Sequence, residues 1–356
     1  MSTRLVGRGS IAVSILVLVS AARPAVVAAE EPPQAPPPAY SVAGRFAVGG
    51  EGGWDYLVAD AKTKRLYVPR SSRVAVLDAE TGKPVGEIPD TAGVHGVALA
   101  PDLGKGFTSN GRAGTVTVFD LASLKVLSEL KATGENPDAI LYEPVTKRVL
   151  AFNGRTANVT AFDAASGAVA GTIPVGGKPE FAGSDASGRV FVNIEDASEI
   201  AVIDAKSLTV SARWKLPGCK DPTGLALDAK GGRLYAGCGN KVAAVVSTAD
   251  GRLLATVPTG EGTDGVSFDP EKGLAFVSNG EGTLTVIRET APGVFTAIQN
   301  VPTQRGARTV ALDEATHRLY LPTARFGPPP SPTPDRPNPR PSVVPGSFEI
   351  LVVAPR

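Results

Sequence analysis

Seven positions at nearly equal intervals carry side chains that can bind ions or move protons. They are Asp55, His95, Asp138, Glu180, Thr223, Asp264 and Arg308, separated by 40, 43, 42, 43, 41 and 44 residues. Gathered at one place, four carboxylates, an imidazole and a guanidinium would make a polar ligand site. Asp55, Asp138, Glu180 and Asp264 are candidate ligands for a hard divalent cation such as calcium. His95 is a candidate ligand or a general base near neutral pH. The plainer reading is that loop residues are polar because loops meet water, with His95 hydrogen-bonded to a neighbouring carboxylate.

A second series, Asn110, Asn153, Asn193 and Asn279, with Glu195 close behind Asn193, would add oxygens to the same site. Asn followed by Gly is also ordinary turn chemistry, since both residues tolerate positive φ. Asp78, Asp120, Asp163 and Asp204 resemble a carboxylate cluster in composition only. Each precedes a turn sequence such as "DAETGK" or "DLASLK", where its side chain can bond the backbone beyond it. His317, in "EATHRLY", belongs to a turn at the opposite face and reads as solvent-exposed. No CxxC, HExxH or phosphate loop is present, nor GxSxG in a strand–turn–helix context. The sequence therefore names no reaction.

The elements that must position these residues come from a repeat. "KGFTSNGRAGTVTVFD", beginning at Lys105, returns as "KGLAFVSNGEGTLTVIR", beginning at Lys272. The register residues Asp60, Ala100, Glu143, Asp185, Asp228, Asp269 and Asp313 repeat the intervals given above, and each lies five residues after one candidate site residue. Each unit holds four short strands between turn signals, as in "GVALAP", "KGFTSN", "TVTVFD" and "KVLSELKA". A four-stranded unit of about 42 residues is the length of a propeller blade. The 40 glycines and 31 prolines argue against long helices. The pattern predicts an all-β, seven-bladed β-propeller over residues 40–356. The seventh unit supplies "TVALD", "RLYLP" and "SFEILVV" and no fourth strand; Tyr40 to Gly52, which matches the fourth-strand phrase at Gly167 to Pro179, is expected to close the ring. In such a ring the loop entering each blade and the loop between its second and third strands share one face. Both residue series are thereby expected at one mouth of the central channel.

These repeats resemble the YVTN-repeat, or YncE-like, seven-bladed propellers of bacterial envelopes. The motif is an Arg-Leu-Tyr-Val strand running into Ser/Thr-Asn-Gly. It is carried by Arg65 to Val68, Phe107 to Gly111, Arg233 to Tyr235, Phe276 to Gly280 and Arg318 to Leu321, although the literal tetrapeptide never occurs. The resemblance implies a fold more than an activity, because propellers host many functions. Some YncE-like proteins bind DNA. Gluconolactonase-type propellers are similar in placing a divalent ion and carboxylates at this mouth, and their sequence signature is absent here.

Residues 1–29 read as a secretory signal peptide: Arg4 and Arg8 precede an apolar run from Ile11 to Ala22, with small residues at Ala28 and Ala29. Cleavage after Ala22 is the alternative. Residues 30–39 read as a Pro-rich tether. The run of 12 residues is too short to span a bilayer, which takes about 20. A periplasmic or secreted protein is expected, without a membrane span. Removing Arg4, Arg8 and Arg23 leaves 33 basic against 35 acidic side chains, so no broad field attracts nucleic acid. In an oxidising compartment Cys219 and Cys238 are expected to pair, brought to one end of a sheet by the "DAKGGR" turn; free thiols or metal ligands are the alternatives. In the seventh unit a Pro-rich loop, residues 327–346, is expected over the mouth, where Arg336 and Arg340 could meet the carboxylates.

Three functions follow. The first is a binding module for a small polar ligand or an envelope protein. The second is a metal-assisted hydrolase of lactones or esters. The third, nucleic-acid binding, is disfavoured: Trp54 and Phe181 could stack on bases, but the carboxylate ring would repel phosphates.

Overall fold

The computed structural model describes residues 1–5, 7, 39–333, 339 and 341–356. The chain divides into Met1–Pro37 and Pro38–Arg356. The signal peptide and tether readings, together with Arg336 and Arg340, fall on or almost wholly on positions outside the described residues. Everything below concerns the second unit.

Apolar residues are nearly continuous in the second and third strand of each repeat, and both strands are buried on both faces. Leu66 to Arg70, Gly106 to Asn110 and Val149 to Asn153 are buried throughout. The fourth strands are largely exposed, as in Pro84–Ile88 and Val126–Lys131. A sheet buried on both faces must lie between two others, and each sheet here does. Seven four-stranded antiparallel sheets form the unit, the first consisting of Val58–Asp60, Arg65–Arg70, Arg73–Asp78 and Pro84–Ile88. Seven apolar clusters each join one pair of neighbouring sheets. Leu150 and Phe152 of the third meet Val190 and Ile203 of the fourth. Leu57 and Leu66 of the first meet Tyr320 and Ile350 of the seventh. The core is therefore a closed circle of inter-blade interfaces, which is a seven-bladed β-propeller. Among the described residues helix is limited to two single 3-10 turns, Pro101–Leu103 and Glu195–Ala197.

The ring closes as the sequence predicts. Tyr40–Ala47 pairs antiparallel with Glu349–Pro355, from Tyr40 opposite Pro355 to Ala47 opposite Glu349, and serves as the outer strand of the seventh blade. Tyr40 is buried against Phe276, with ring centroids 4.8 Å apart.

The repeated motif has an identifiable mechanical use. The basic residue opening the second strand reaches across to the next blade's outer turn: Arg148 donates to the carbonyls of Ala205 and of Lys206 (3.1 Å), and Arg189 donates to that of Thr248 (3.1 Å). The aspartates Asp78, Asp120, Asp163 and Asp204 accept backbone N–H bonds from the residue three further on, at 2.7 to 2.9 Å. They shape turns, as read from the sequence.

Cys219 and Cys238 form a buried disulfide within the core shared by the fourth and fifth blades. It ties the loop entering the fifth blade to the end of that blade's second strand.

Candidate functional site

The innermost strands begin irregularly, and this sets the direction of the site residues. In five blades the pairing register slips immediately at the site position: between Val94 and Val97, Pro137 and Ile140, Pro179 and Ala182, Pro222 and Leu225, and Thr263 and Gly265. His95, Asp138, Glu180, Thr223 and Asp264 each fall inside such a slip. A bulge re-aims a side chain that regular pairing would commit to one face of the sheet. Asp55 and Arg308 instead precede the three-residue inner strands Val58–Asp60 and Ala311–Asp313.

Neighbouring blades grip these bulges by their backbone. Ser109 donates to the carbonyl of Asp138, and Ser278 to that of Arg308. Asn193 donates to the carbonyl of Thr223 at 2.9 Å, and Thr309 to that of Asp55 at 3.3 Å. In the Ser-Asn-Gly motif the serine thus locks the next blade's site residue in place.

The side chains form one polar network. His95 Nδ1 lies 2.7 Å from Asp55 Oδ2 and 3.6 Å from Asp138 Oδ1. Arg308 donates to Asp264 from Nη1, and its Nη2 stands 3.8 Å from Asp55. Lys178 Nζ lies 2.7 Å from Glu180 and also bonds Glu195. The buried Tyr56 hydroxyl donates to the other oxygen of Glu180 at 3.1 Å. Five carboxylates thus face two permanent cations and one imidazole.

Burial and mutual repulsion make this network hold protons. Burial pushes Asp138 up to about 6, with Asp55 and Asp264 adding to the rise against the pull of His95. Burial also lifts Asp264 to about 7, although Arg308 opposes it. Glu180 is raised by burial and by Asp138. At His95 burial disfavours the charge, but the bond to Asp55 and the carboxylates of Asp138 and Glu180 outweigh it, so its pKa rises. The phenol of Tyr56 is raised well above its usual value by burial and then by Asp264 and Glu180, so it stays a donor.

Comparison with solved structures agrees with this architecture. The chain superposes on a Kuenenia stuttgartiensis hydrazine synthase chain with TM-score 0.65 at 15% identity, covering 76% of this chain and 93% of that one. It superposes on U3-55K with TM-score 0.71 at 11% identity, covering 88% and 99% of the two chains, and on the WD40 repeats of RRP9 with the same score and identity, covering 89% and 99%. The likeness is one of fold. No family model and no curated protein sequence matches the chain.

Within this propeller the candidates separate into groups. One ligand atom each from Asp55, His95 and Asp138 lies within 4.8 Å of the others, close enough to share one ion. Glu180 and Asp264, proposed as ligands on sequence grounds, are outside that group and are paired with Lys178 and Arg308. Thr223 donates to the carbonyl of Thr263 at 3.1 Å. The asparagines do different work from that expected. Asn110 donates to Thr115 (3.2 Å) and Thr117 (2.8 Å); Asn153 donates to Asn158 (2.8 Å) and Thr160 (2.9 Å); Asn279 donates to Thr283 (3.0 Å) and Thr285 (3.1 Å). All three are fully buried and stitch the second strand to the third within a blade, so they present no oxygen to the channel. His317 is also corrected. It is mostly buried, with Nδ1 2.7 Å from the buried Asp269, and it ties the seventh blade to the sixth.

Sequence reasoning missed Tyr56 and Lys178, although each lies within two residues of a site position. It also missed Ser71 and Arg112, which with Trp54, Asp55 and His95 line a cavity of about 170 Å³. Phe181 packs on Tyr56, with centroids 5.0 Å apart, and Trp54 packs on Phe348 at 5.2 Å. The Pro-rich loop is anchored at its base: Phe326 pairs with Val343, Gly327 donates to the Ser342 carbonyl at 2.9 Å, and Val344 donates to that of Arg325 at 2.9 Å.

Proposed function

We propose that this propeller is an exported, YncE-like binding module that takes a divalent cation, and through it a small polar ligand, at the channel mouth. The observation that carries the reading is the Asp55–His95–Asp138 group, three donors able to share one ion inside a mouth with more carboxylates than cations. A dication there would offset the burial, and the lesser carboxylate repulsion, that raise Asp138, and its affinity would grow as pH rises through about 6. The imidazole shifts the expected ion from calcium, which takes oxygen ligands, toward zinc or manganese. Export is supported by the arginines, apolar run and small residues of positions 1–29 and by the disulfide. No described helix is long and apolar enough to cross a membrane. An acidic mouth argues against nucleic acid as partner.

The test is thermal denaturation of chelator-treated protein titrated with zinc, manganese, calcium and magnesium. Zinc or manganese is expected to raise the melting temperature of the parent and leave Asp138→Asn and His95→Ala unmoved. An unchanged melting temperature with all four ions refutes the metal reading.

One observation favours the second function, a metal-assisted hydrolase of lactones or esters. His95 turns Nδ1 to Asp55, an orientation that leaves Nε2 to act as a base. Hydrolysis of a simple lactone or aryl ester that depends on added metal and is lost in His95→Ala would establish it.

A further inference from the structure

A second cavity, of about 420 Å³, adjoins the first and shares Gly53 and Trp54 with it, but its chemistry is opposite. Its walls are apolar: Trp54, Phe326, Pro341 and Val343. The rest of the wall includes backbone, supplied by Gly262, Gly280 and Gly306, and the Phe326 ring packs directly on Gly306. A Cβ at Gly306 would come 2.5 Å from the Phe326 ring, and the residue's φ of +86° independently favours glycine. The result is a slot, bounded by two aromatic rings and by main chain. Its volume falls within the range of small-molecule sites, roughly 300–1,000 Å³.

The slot's charge is positive. Among the described residues Arg305 and Arg308 line it and no carboxylate does. Arg308 is occupied by Asp264 and Asp55, so it stands between those acids and the slot. Arg305 is exposed and has no carboxylate partner among the described residues.

The aromatic wall is held from behind. Trp54 packs on Phe348, and the guanidinium of Arg70 lies 3.7 Å from the centre of that ring. Arg70, 1% exposed, donates to the carbonyls of Gly49 (2.9 Å), Glu51 (2.9 Å) and Gly52 (3.2 Å), fixing the loop that delivers Gly53 and Trp54. A wall fixed before binding loses little entropy when a ligand arrives.

We propose that this slot binds an organic anion with a flat apolar body, an aryl carboxylate, its ring beside Trp54 and Phe326 and its carboxylate on Arg305. The arginine charge selects an anion, and the neighbouring Trp54 and Phe326 rings, with centroids 6.2 Å apart beside bare glycine backbone, select a flat body. The slot is a separate cavity from the metal group, since among the described residues none of Asp55, His95 and Asp138 lines it.

The experiment uses 2-naphthoate and its neutral analogue 2-naphthalenemethanol, titrated into the whole protein and followed by tryptophan fluorescence. Trp214, the other tryptophan, packs at a tilt on Phe191 in the fourth blade, and a Trp214→Phe variant assigns the signal to Trp54. Naphthoate is expected to bind about tenfold more tightly than the alcohol, the ratio that one charge-assisted hydrogen bond supplies. Arg305→Gln should remove that difference while leaving the alcohol's affinity alone. Val343→Asp, at an exposed wall position, should weaken naphthoate by about tenfold or more through repulsion and loss of apolar contact. Equal affinity for acid and alcohol overturns the proposal. So does naphthoate binding that survives both substitutions, or no binding at millimolar concentration. A protein that takes naphthoate and no metal refutes only the metal reading, and the converse result refutes only the slot.

Discussion

Asp138→Asn is expected to stabilise the metal-free protein, and only where the carboxylate would be ionised. Asp138 is 14% exposed and has no cation of its own; its nearest positive neighbour, His95, is 3.6 Å away and bonded more closely to Asp55. Its pKa rises from the usual 3.8 to about 6 on folding, with burial as the main cause. Between those values the folded state holds more protons than the unfolded state, so stability falls as pH rises. The penalty is absent below about pH 4 and complete above about pH 6. At about 1.4 kcal/mol per pH unit it amounts to about 3 kcal/mol. For a domain of this size that corresponds to a melting temperature about 4 °C higher for the variant at pH 8, with no difference at pH 3.5. Paired calorimetry of chelator-treated parent and variant at the two pH values measures it. A variant less stable than the parent at pH 8, or a shift of equal size at both pH values, would show that burial does not burden this carboxylate.

Lys178→Met should act in the opposite direction, costing about 2 kcal/mol at pH 8, because it leaves the buried Glu180 without its cation; denaturant titration reads the loss. A chain beginning at Gly53 lacks the outer strand of the seventh blade and the buried Tyr40, and it should lose about 5 kcal/mol or fail to fold; unchanged melting would reject closure by this segment. Replacing both Cys219 and Cys238 by alanine should cost about 3 kcal/mol on the chain-entropy view of a 19-residue loop, and alkylation of the unreduced, denatured parent should add no mass. Replacing residues 328–345 with a short Gly-Ser bridge should leave folding stability nearly intact while weakening whatever occupies the slot, since Pro341 and Val343 are removed; retention of full naphthoate affinity would reduce the loop to a surface insertion.

The sequence by itself determined the architecture, because a propeller is periodic and periodicity is a one-dimensional property. Intervals near 42 residues marked the blades, and the likeness of Tyr40 to Gly52 to other fourth strands marked the closure. The same count located Asp55, His95, Asp138, Glu180, Asp264 and Arg308, since equivalent positions in equivalent blades must converge on the channel. Repetition carries no information about which members of a ring touch. Whether a carboxylate meets an imidazole, a lysine or an arginine depends on bulges and rotamers fixed across blades. That is why only the tertiary structure separated Asp55, His95 and Asp138 from Glu180, which Lys178 neutralises, and from Asp264, which Arg308 neutralises. The roles of Asn110, Asn153 and Asn279 stayed open in the sequence for a related reason. Their position at the end of a strand was legible, but the inward turn of their amides is set by the threonines paired opposite them. The aromatic slot was invisible in the repeat because Trp54, Phe326 and Val343 break the pattern. They meet only where the first and seventh blades close the circle, a contact between chain segments some 270 residues apart.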